Sequence, residues 1–122
     1  MEIDEIRENR INTEILADAE DKEERAMGWY YYLDDMLNFP FVAKWKKKNR
    51  KSSTIDEKEV EVLGMSPEDD CLRDMYVEVA YIGKEDEINV AKLSEIEPID
   101  ADEETKEALA DWQYWLARGY KF

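Results

Sequence analysis

The sequence predicts an α+β fold, in which a small antiparallel sheet, strongly bent or closed as an SH3-like barrel, packs with N-terminal helices and a C-terminal helix. Apolar residues recur at helical spacing at both ends of the chain and alternate with a period of two between them. No linker rich in glycine or serine separates these parts, and 122 residues suit one domain. We therefore expect a single domain over residues 1–122, helical over 1–38, mainly β over 39–98 and ending in a helix over 99–122.

Two helices are expected before the sheet. Isoleucines and leucines at mostly helical intervals predict the first over residues 2–24, with a bend near 18–21. The second, over 21–37, has an apolar and aromatic centre, so we expect most of its circumference to be buried. Gly28 within it suggests a close contact with another helix, and Pro40 prevents the second helix from continuing.

Four short strands are expected in the middle of the chain, with Gly64 and Gly83 at strand ends. Apolar and polar residues alternate in four stretches: 41–45, 59–63, 75–82 and 88–91. The residues that follow, Leu93–Pro98, are predicted to form a short helical turn. The last helix has the plainest signals, because Asp102 is a good N-cap, acidic residues occupy the first turn and Gly119 ends the helix.

The chain is strongly acidic, with 32 Asp and Glu residues against 17 Lys and Arg residues, and its net charge is −15. Such a surface repels nucleic-acid phosphates and anionic lipid, so cations and basic proteins are the suitable partners. The lack of histidine and the single cysteine, Cys71, exclude a Cys/His zinc site and imidazole-based catalysis. Cys71 is expected in the core. Without a signal peptide or an apolar stretch of ~20 residues, a cytoplasmic protein is expected. We also expect a monomer that is not an enzyme.

The acidic surplus favours binding of a divalent cation, because a bound cation relieves the repulsion among carboxylates that converge. Oxygen-only ligands favour hard ions, and calcium above all where a flexible cage supplies ~6 to 8 oxygens. An EF-hand that starts at Asp100 fails, since Thr105 occupies the position that needs glycine and Asp111 occupies that of the bidentate glutamate. Asp102 is explained better as a helix cap, and it stays among the candidate ligands.

Two acidic groups supply the other candidate ligands. They are Asp34, Asp35 and Asn38, and Glu68, Asp69, Asp70 and Asp74. The first group stands at the end of the second helix, where carboxylates, the negative end of the helix dipole and carbonyls without helical partners coincide. The second lies in a turn whose backbone carbonyls can also turn inward. For both groups the alternative is an ordinary solvated surface, and the adjacent acids of the first leave open the acid–base work of a hydrolase.

Six basic residues crowd one segment that contains no acid: Lys44, Lys46, Lys47, Lys48, Arg50 and Lys51. We expect this segment to be a strand end and loop, either solvated or an electrostatic partner for the acidic remainder of the chain. The alternative is a phosphate-binding segment in which Trp45 stacks on a base.

Four blocks rich in aromatic residues stand out: Glu24–Leu33, Leu37–Phe41, Asp111–Trp115 and Gly119–Phe122. They resemble the CcbP-like family of small bacterial calcium-binding proteins, and the resemblance extends over residues 10–122. It implies a calcium-binding protein without EF-hands, which uses surface carboxylates on a compact scaffold of helices and sheet. In cyanobacteria the family implies a calcium buffer.

Residues and resemblance together predict a cytosolic calcium buffer or sensor with oxygen-only sites. The alternative from another class is an acidic interaction module that binds a basic protein without metal, for example as a nucleic-acid mimic.

Overall fold

The structure is a computed structural model, and it describes residues 4–17, 19–48, 51–52 and 54–119. Its helices are α1 (Glu5–Arg10), α2 (Lys22–Met36) and α3 (Glu103–Ala117), and a π-helical segment, Ile11–Ile15, continues α1. Its strands are β1 (Phe41–Lys48), β2 (Ile55–Met65), β3 (Tyr76–Tyr81), β4 (Lys84–Lys92) and β5 (Ile96–Asp100). Short 3-10 turns lie at Glu68–Cys71 and Leu93–Glu95. None of the described helices is long and apolar enough to cross a membrane.

The strands form one antiparallel sheet in the order β4-β3-β2-β1-β5. At its centre Ala43 pairs with Val60, and Val62 pairs with Val79, all four in the buried core. Register shifts interrupt the pairings β1–β5, β2–β3 and β3–β4, and such bulges increase the local bend and twist. Among the described residues the sheet stays open, with β4 and β5 as its edges. The α+β class is confirmed, and the barrel alternative is wrong.

Two local predictions within the sheet are wrong. Gly64 does not end β2, which continues past it; this glycine lies at the register shift between β2 and β3. The helical turn expected over Leu93–Pro98 stops at Glu95, and β5 begins at Ile96. This strand forms because β1 offers a second edge on the side away from β2, and because Ile96, opposite Trp45, is buried there.

An aromatic cluster joins α2 to α3. The ring of Trp29 lies 5.1 Å from that of Trp112 and 5.6 Å from that of Trp115, centroid to centroid. Such ring pairs add about 0.5 to 1.5 kcal/mol to the free energy of burial. Cys71 is also buried, as predicted. In the centre of α2, Ala26–Leu33, every residue except Tyr31 is buried or half-buried, so the expected burial of most of the circumference is confirmed there. Tyr31 is 53% exposed, and its hydroxyl reaches a polar turn.

Gly28 marks a close approach between α2 and the preceding π-helical segment, as predicted. A Cβ atom at this position would lie 2.6 Å from the carbonyl oxygen of Ile15, so a larger residue would displace backbone. The first helix is shorter than expected, because the π-helical segment ends at Ile15 and α2 begins only at Lys22, after its N-cap Asp21. The predicted bend at 18–21 falls in this interval, of which residue 18 lies outside the described residues.

Ion pairs hold α1 to α3. No residue of α1 is buried. The fully buried carboxylate of Asp111 accepts hydrogen bonds from Arg7 Nη1 at 2.6 Å and from Arg10 Nη2 at 2.9 Å. The other oxygen of this carboxylate, Asp111 Oδ2, accepts a hydrogen bond from the hydroxyl of Tyr32. Asp111 therefore neutralises two arginines inside the fold, and its oxygens do not face solvent.

The basic segment is mostly strand β1, and its lysines face acids of the neighbouring strands. Lys46 lies opposite Glu57 of β2, and its Nζ forms an ion pair with Glu97 of β5 at 2.6 Å. This arrangement fits the interpretation of the segment as an electrostatic partner for the acidic remainder. Arg50 and the side chain of Lys48 lie outside the described residues.

Candidate metal centre

The end of α2 and the start of α3 meet, and this junction brings two candidate ligands together. Asn38 follows α2, and its Nδ2 donates a hydrogen bond to Asp102 Oδ2 at 2.6 Å. Glu104 Oε2 lies 3.4 Å from the same nitrogen. A single amide group therefore lies between two carboxylates, and all three residues are exposed.

A buried threonine lies behind this junction. The backbone N–H of Asn38 donates to Thr105 Oγ1 at 2.9 Å, and the backbone N–H of Thr105 donates to Asp102 Oδ1 at 2.8 Å. The N–H of Thr105, then its hydroxyl, then the amide of Asn38 lower the pKa of Asp102. Each of these donors favours the charged form, so the carboxylate stays ionised.

The junction combines two helix ends of opposite sign. The C-terminal end of α2 carries partial negative charge and carbonyls without helical partners, whereas the N-terminal end of α3 carries partial positive charge. Asp102 caps α3, as predicted, and its charge offsets that positive end. In the sequence, Asn38 and Asp102 belong to alternative cation sites, but in the fold they are neighbours.

Asp34 and Asp35 lie exposed on the last turn of α2. The pKa of Tyr30 is raised mainly by burial and, to a smaller extent, by neighbouring charges that include Asp34 and Glu68. Both acids therefore lie near the same tyrosine. Tyr31, next along α2, donates from its hydroxyl to Glu68 Oε1 at 2.8 Å. The structure therefore brings Asp34 and Glu68 to one side of α2. Within the described residues, no hydrogen bond or ion pair links Asp35 to another candidate ligand.

The second acidic group divides in the fold. Its first part, Glu68–Asp70, is exposed on the 3-10 turn beside α2. Asp74 is half-buried, and burial raises its pKa, while the N–H of Met75 and the charge of Lys92 oppose this shift and the charge of Glu95 adds to it. Asp74 therefore lies near Lys92 of β4. Burial raises the pKa of the Cys71 thiol, and the charges of Asp70 and Asp74 raise it further.

The donor atoms at the junction suit calcium. No three His, Cys, Asp or Glu side chains in the described part of the chain are grouped closely enough to hold a metal ion. Two carboxylates and one amide are hard oxygen donors, and calcium also accepts backbone carbonyls and water among its ~6 to 8 ligands. The residues present therefore fit calcium through a mixed oxygen set rather than through a cage of carboxylates.

Sequence reasoning did not identify Glu104 and Thr105 as parts of this site. Glu104 served there only to favour the first turn of α3, and Thr105 counted only against an EF-hand. Asn38 reaches these residues across 66 and 67 positions of the chain. No local pattern carries a relation over that distance, so only the fold reveals it.

Comparison with known proteins agrees with this chemistry. The sequence model of a family described as calcium binding, Calci_bind_CcbP, matches residues 9–116. The chain belongs to the CcbP family of calcium-binding proteins. The resemblance carried by the aromatic blocks is thereby confirmed, and so is calcium binding as the class of function. The matched range includes every candidate ligand and both helix ends of the junction.

Two solved structures are similar to this chain. The crystal structure of Anabaena CcbP has a TM-score of 0.93 and 71% sequence identity, and the match covers 100% of this chain and 98% of that one. A calcium binding protein in the calcium-binding form has a TM-score of 0.91 and 73% identity, and the match covers 98% of this chain and 95% of that one. No curated protein matches the chain.

Proposed function

We propose that this chain is a cytoplasmic calcium buffer or sensor, a single-domain monomer without enzymatic activity. Its principal site lies at the junction of α2 and α3 and uses Asn38, Asp102 and Glu104, with Asp35 on the adjoining turn. The observation that carries the proposal is the amide of Asn38 between two carboxylates. The amide supplies partial positive charge at the point where a cation would supply full charge.

Each residue of the junction offers an oxygen donor. Asp102 keeps Oδ1 on the N–H of Thr105 and directs Oδ2 towards Asn38. Glu104 contributes a carboxylate, and Asn38 contributes a carbonyl oxygen once its amide is turned over, since the two ends of an amide differ in donor and acceptor character. Backbone carbonyls at the end of α2 and water complete the ~6 to 8 ligands of calcium.

A second, weaker site is proposed on the face shared by α2 and the 3-10 turn. Asp34 and Glu68 lie on this face, where both act on Tyr30 and the hydroxyl of Tyr31 donates to Glu68. Asp69 and Asp70 follow Glu68 on the same turn. Attraction between an ion and exposed carboxylates is screened over ~8 to 10 Å at physiological salt, so this site should be weaker than the junction. Asp74 belongs to neither site in this proposal.

Calcium titration by calorimetry, at physiological ionic strength, tests the principal site. Asp102→Asn and Glu104→Gln should each weaken binding by about tenfold, or ~1.4 kcal/mol, because each removes one charged ligand. The matched control is Asp86→Asn, which removes one charge from the exposed strand β4. If the control weakens binding as much as Asp102→Asn does, the ion responds to net charge alone and the junction is not the site.

Calcium should also raise the melting temperature more than magnesium does. A flexible oxygen site accommodates the larger ion, whereas magnesium retains its water ligands. A ligand at ~100 times its dissociation constant stabilises the folded state by about 2.7 kcal/mol, which a thermal melt detects easily. Equal melting temperatures with calcium, with magnesium and with chelator alone would contradict the proposed function.

A further inference from the structure

Thr105 contacts both halves of the junction while its own side chain is completely buried. On the α2 side its hydroxyl oxygen accepts the backbone N–H of Asn38 at 2.9 Å. On the α3 side its backbone N–H donates to Asp102 Oδ1 at 2.8 Å. A line of hydrogen bonds therefore runs from the backbone of Asn38 through Thr105 to the carboxylate.

This line determines the position of Asn38. α2 ends at Met36 with Leu37 as its C-cap, so Asn38 lies beyond the helical hydrogen bonds. Its backbone N–H is held by a residue 67 positions away in the chain. A hydrogen bond to a buried hydroxyl holds its partner firmly, because water does not compete for it. The hydrogen bond to Thr105 therefore fixes where the side-chain amide of Asn38 lies relative to Asp102 and Glu104.

We propose that Thr105 is the positioning residue of the calcium site. It holds the end of α2 against the N-cap of α3, so that Asn38 faces the two carboxylates, and it does not itself bind the ion. This inference rests on the proposed function. Groups that orient metal ligands without touching the metal typically contribute 10-fold to 100-fold, as an order of magnitude, to metal affinity.

The substitution that tests this role is Thr105→Val, which keeps the shape of the side chain and removes the hydroxyl. Calorimetry should give a calcium Kd about tenfold higher than that of the unsubstituted protein. Thr105→Ser keeps the hydroxyl and should restore the affinity. The matched control is Thr13→Val, because the hydroxyl of Thr13 donates to the carbonyl of Asn9 at 2.7 Å on an exposed surface. That control should leave the Kd unchanged.

A second readout needs no calcium. The backbone amide proton of Asn38 should exchange slowly with solvent in the calcium-free protein and in Thr105→Ser, because its acceptor, the Thr105 hydroxyl, is buried. In Thr105→Val, which lacks this acceptor, the same proton should exchange rapidly. A threonine that only fills space would alter overall stability without this local change at Asn38.

The outcomes separate the two proposals. If Asp102→Asn weakens calcium binding and Thr105→Val does not, the site stands and the positioning role is wrong. If neither substitution changes the Kd, the junction is not the site and both proposals are overturned. If Thr105→Val fails to fold, the test is made on the unsubstituted protein. There the backbone amide proton of Asn38 must be protected from exchange, and the NMR signal of this amide must shift when calcium is added. An unprotected amide, or a signal that calcium leaves unmoved, overturns the positioning role.

Discussion

Replacement of Asp111 with asparagine should destabilise the protein, because it removes the counter-charge of two arginines. The carboxylate is fully buried, and Oδ1 accepts from Arg7 at 2.6 Å and from Arg10 at 2.9 Å. The hydroxyl of Tyr32 donates to Oδ2. Asparagine has nearly the same shape as aspartate, so the change reports on charge and hydrogen bonding and leaves no cavity.

The magnitude follows from the burial of the partners. Removal of one member of a buried ion pair costs about 3 to 5 kcal/mol. The side chains of Arg7 and Arg10 are 17% and 26% exposed, so water compensates them in part, and the new amide still accepts a hydrogen bond. We therefore expect a loss of ~2 to 3 kcal/mol. At about 3 to 6 °C per kcal/mol for a chain of this size, the melting temperature should fall by roughly 10 °C.

Urea unfolding followed by tryptophan fluorescence, with a chelator present, measures this loss apart from any stabilisation by calcium. The matched control is Glu107→Gln. Glu107 bonds the same two arginines at 3.1 and 2.9 Å but is 50% exposed, so its loss should cost less than about 1 kcal/mol. Equal losses in the two variants, or an Asp111→Asn protein as stable as the unsubstituted one, would refute the argument from burial.

Three more substitutions test packing, titration and surface charge. Gly28→Ala should lower the free energy of unfolding in urea by about 1 to 3 kcal/mol, because its Cβ would lie 2.6 Å from the carbonyl oxygen of Ile15. A Cβ at Gly64 would meet nothing within 4 Å, so Gly64→Ala should cost less. A larger loss for Gly64→Ala than for Gly28→Ala would contradict this expectation. Burial raises the pKa of Asp74, so the ionised side chain opposes folding at neutral pH. Asp74→Asn should therefore raise the melting temperature at pH 7. This advantage should disappear below pH 3.8, the ordinary pKa of the group, where Asp74 is protonated in both the folded and the unfolded protein. A gain that persists in acid would point to another cause. Lys46→Gln removes an exposed ion pair, so the free energy of unfolding should change by less than ~1 kcal/mol. Calcium affinity should rise slightly, because the surface becomes more negative. A weaker calcium affinity would argue that Lys46 does more than balance charge.

Local signals predicted most of the secondary structure. Asp102 is the N-cap of α3, and Gly83 and Gly119 have φ angles of 90° and 79° at the ends of their elements, which only glycine adopts without strain. Period-two alternation located four of the strands. β5 was beyond such reasoning, because it has five residues, contains Pro98 and becomes a strand only by pairing with an edge of β1.

The candidate site was predicted less completely than the fold, because a binding site depends on which distant residues meet. Asn38 and Asp102 appeared as candidates for separate local reasons, the end of one helix and the start of another. They lie 64 positions apart and share a hydrogen bond of 2.6 Å. Asp74 appeared with the acids of its turn, yet the fold half-buries it, near Lys92, while the other three stay exposed.

The sequence by itself determined the acidity of the surface and the lack of histidine, and hence the kind of cation, because composition decides which donor atoms exist at all. The tertiary structure decided which acids stand together, as at the junction of α2 and α3, and which acid is withdrawn from solvent, as Asp111 is. The physical reason is that carboxylates repel one another and do not assemble on their own. Burial of Trp29 against Trp112 and Trp115 supplies the free energy that brings the two helices together, and the positions of the acids follow from that packing.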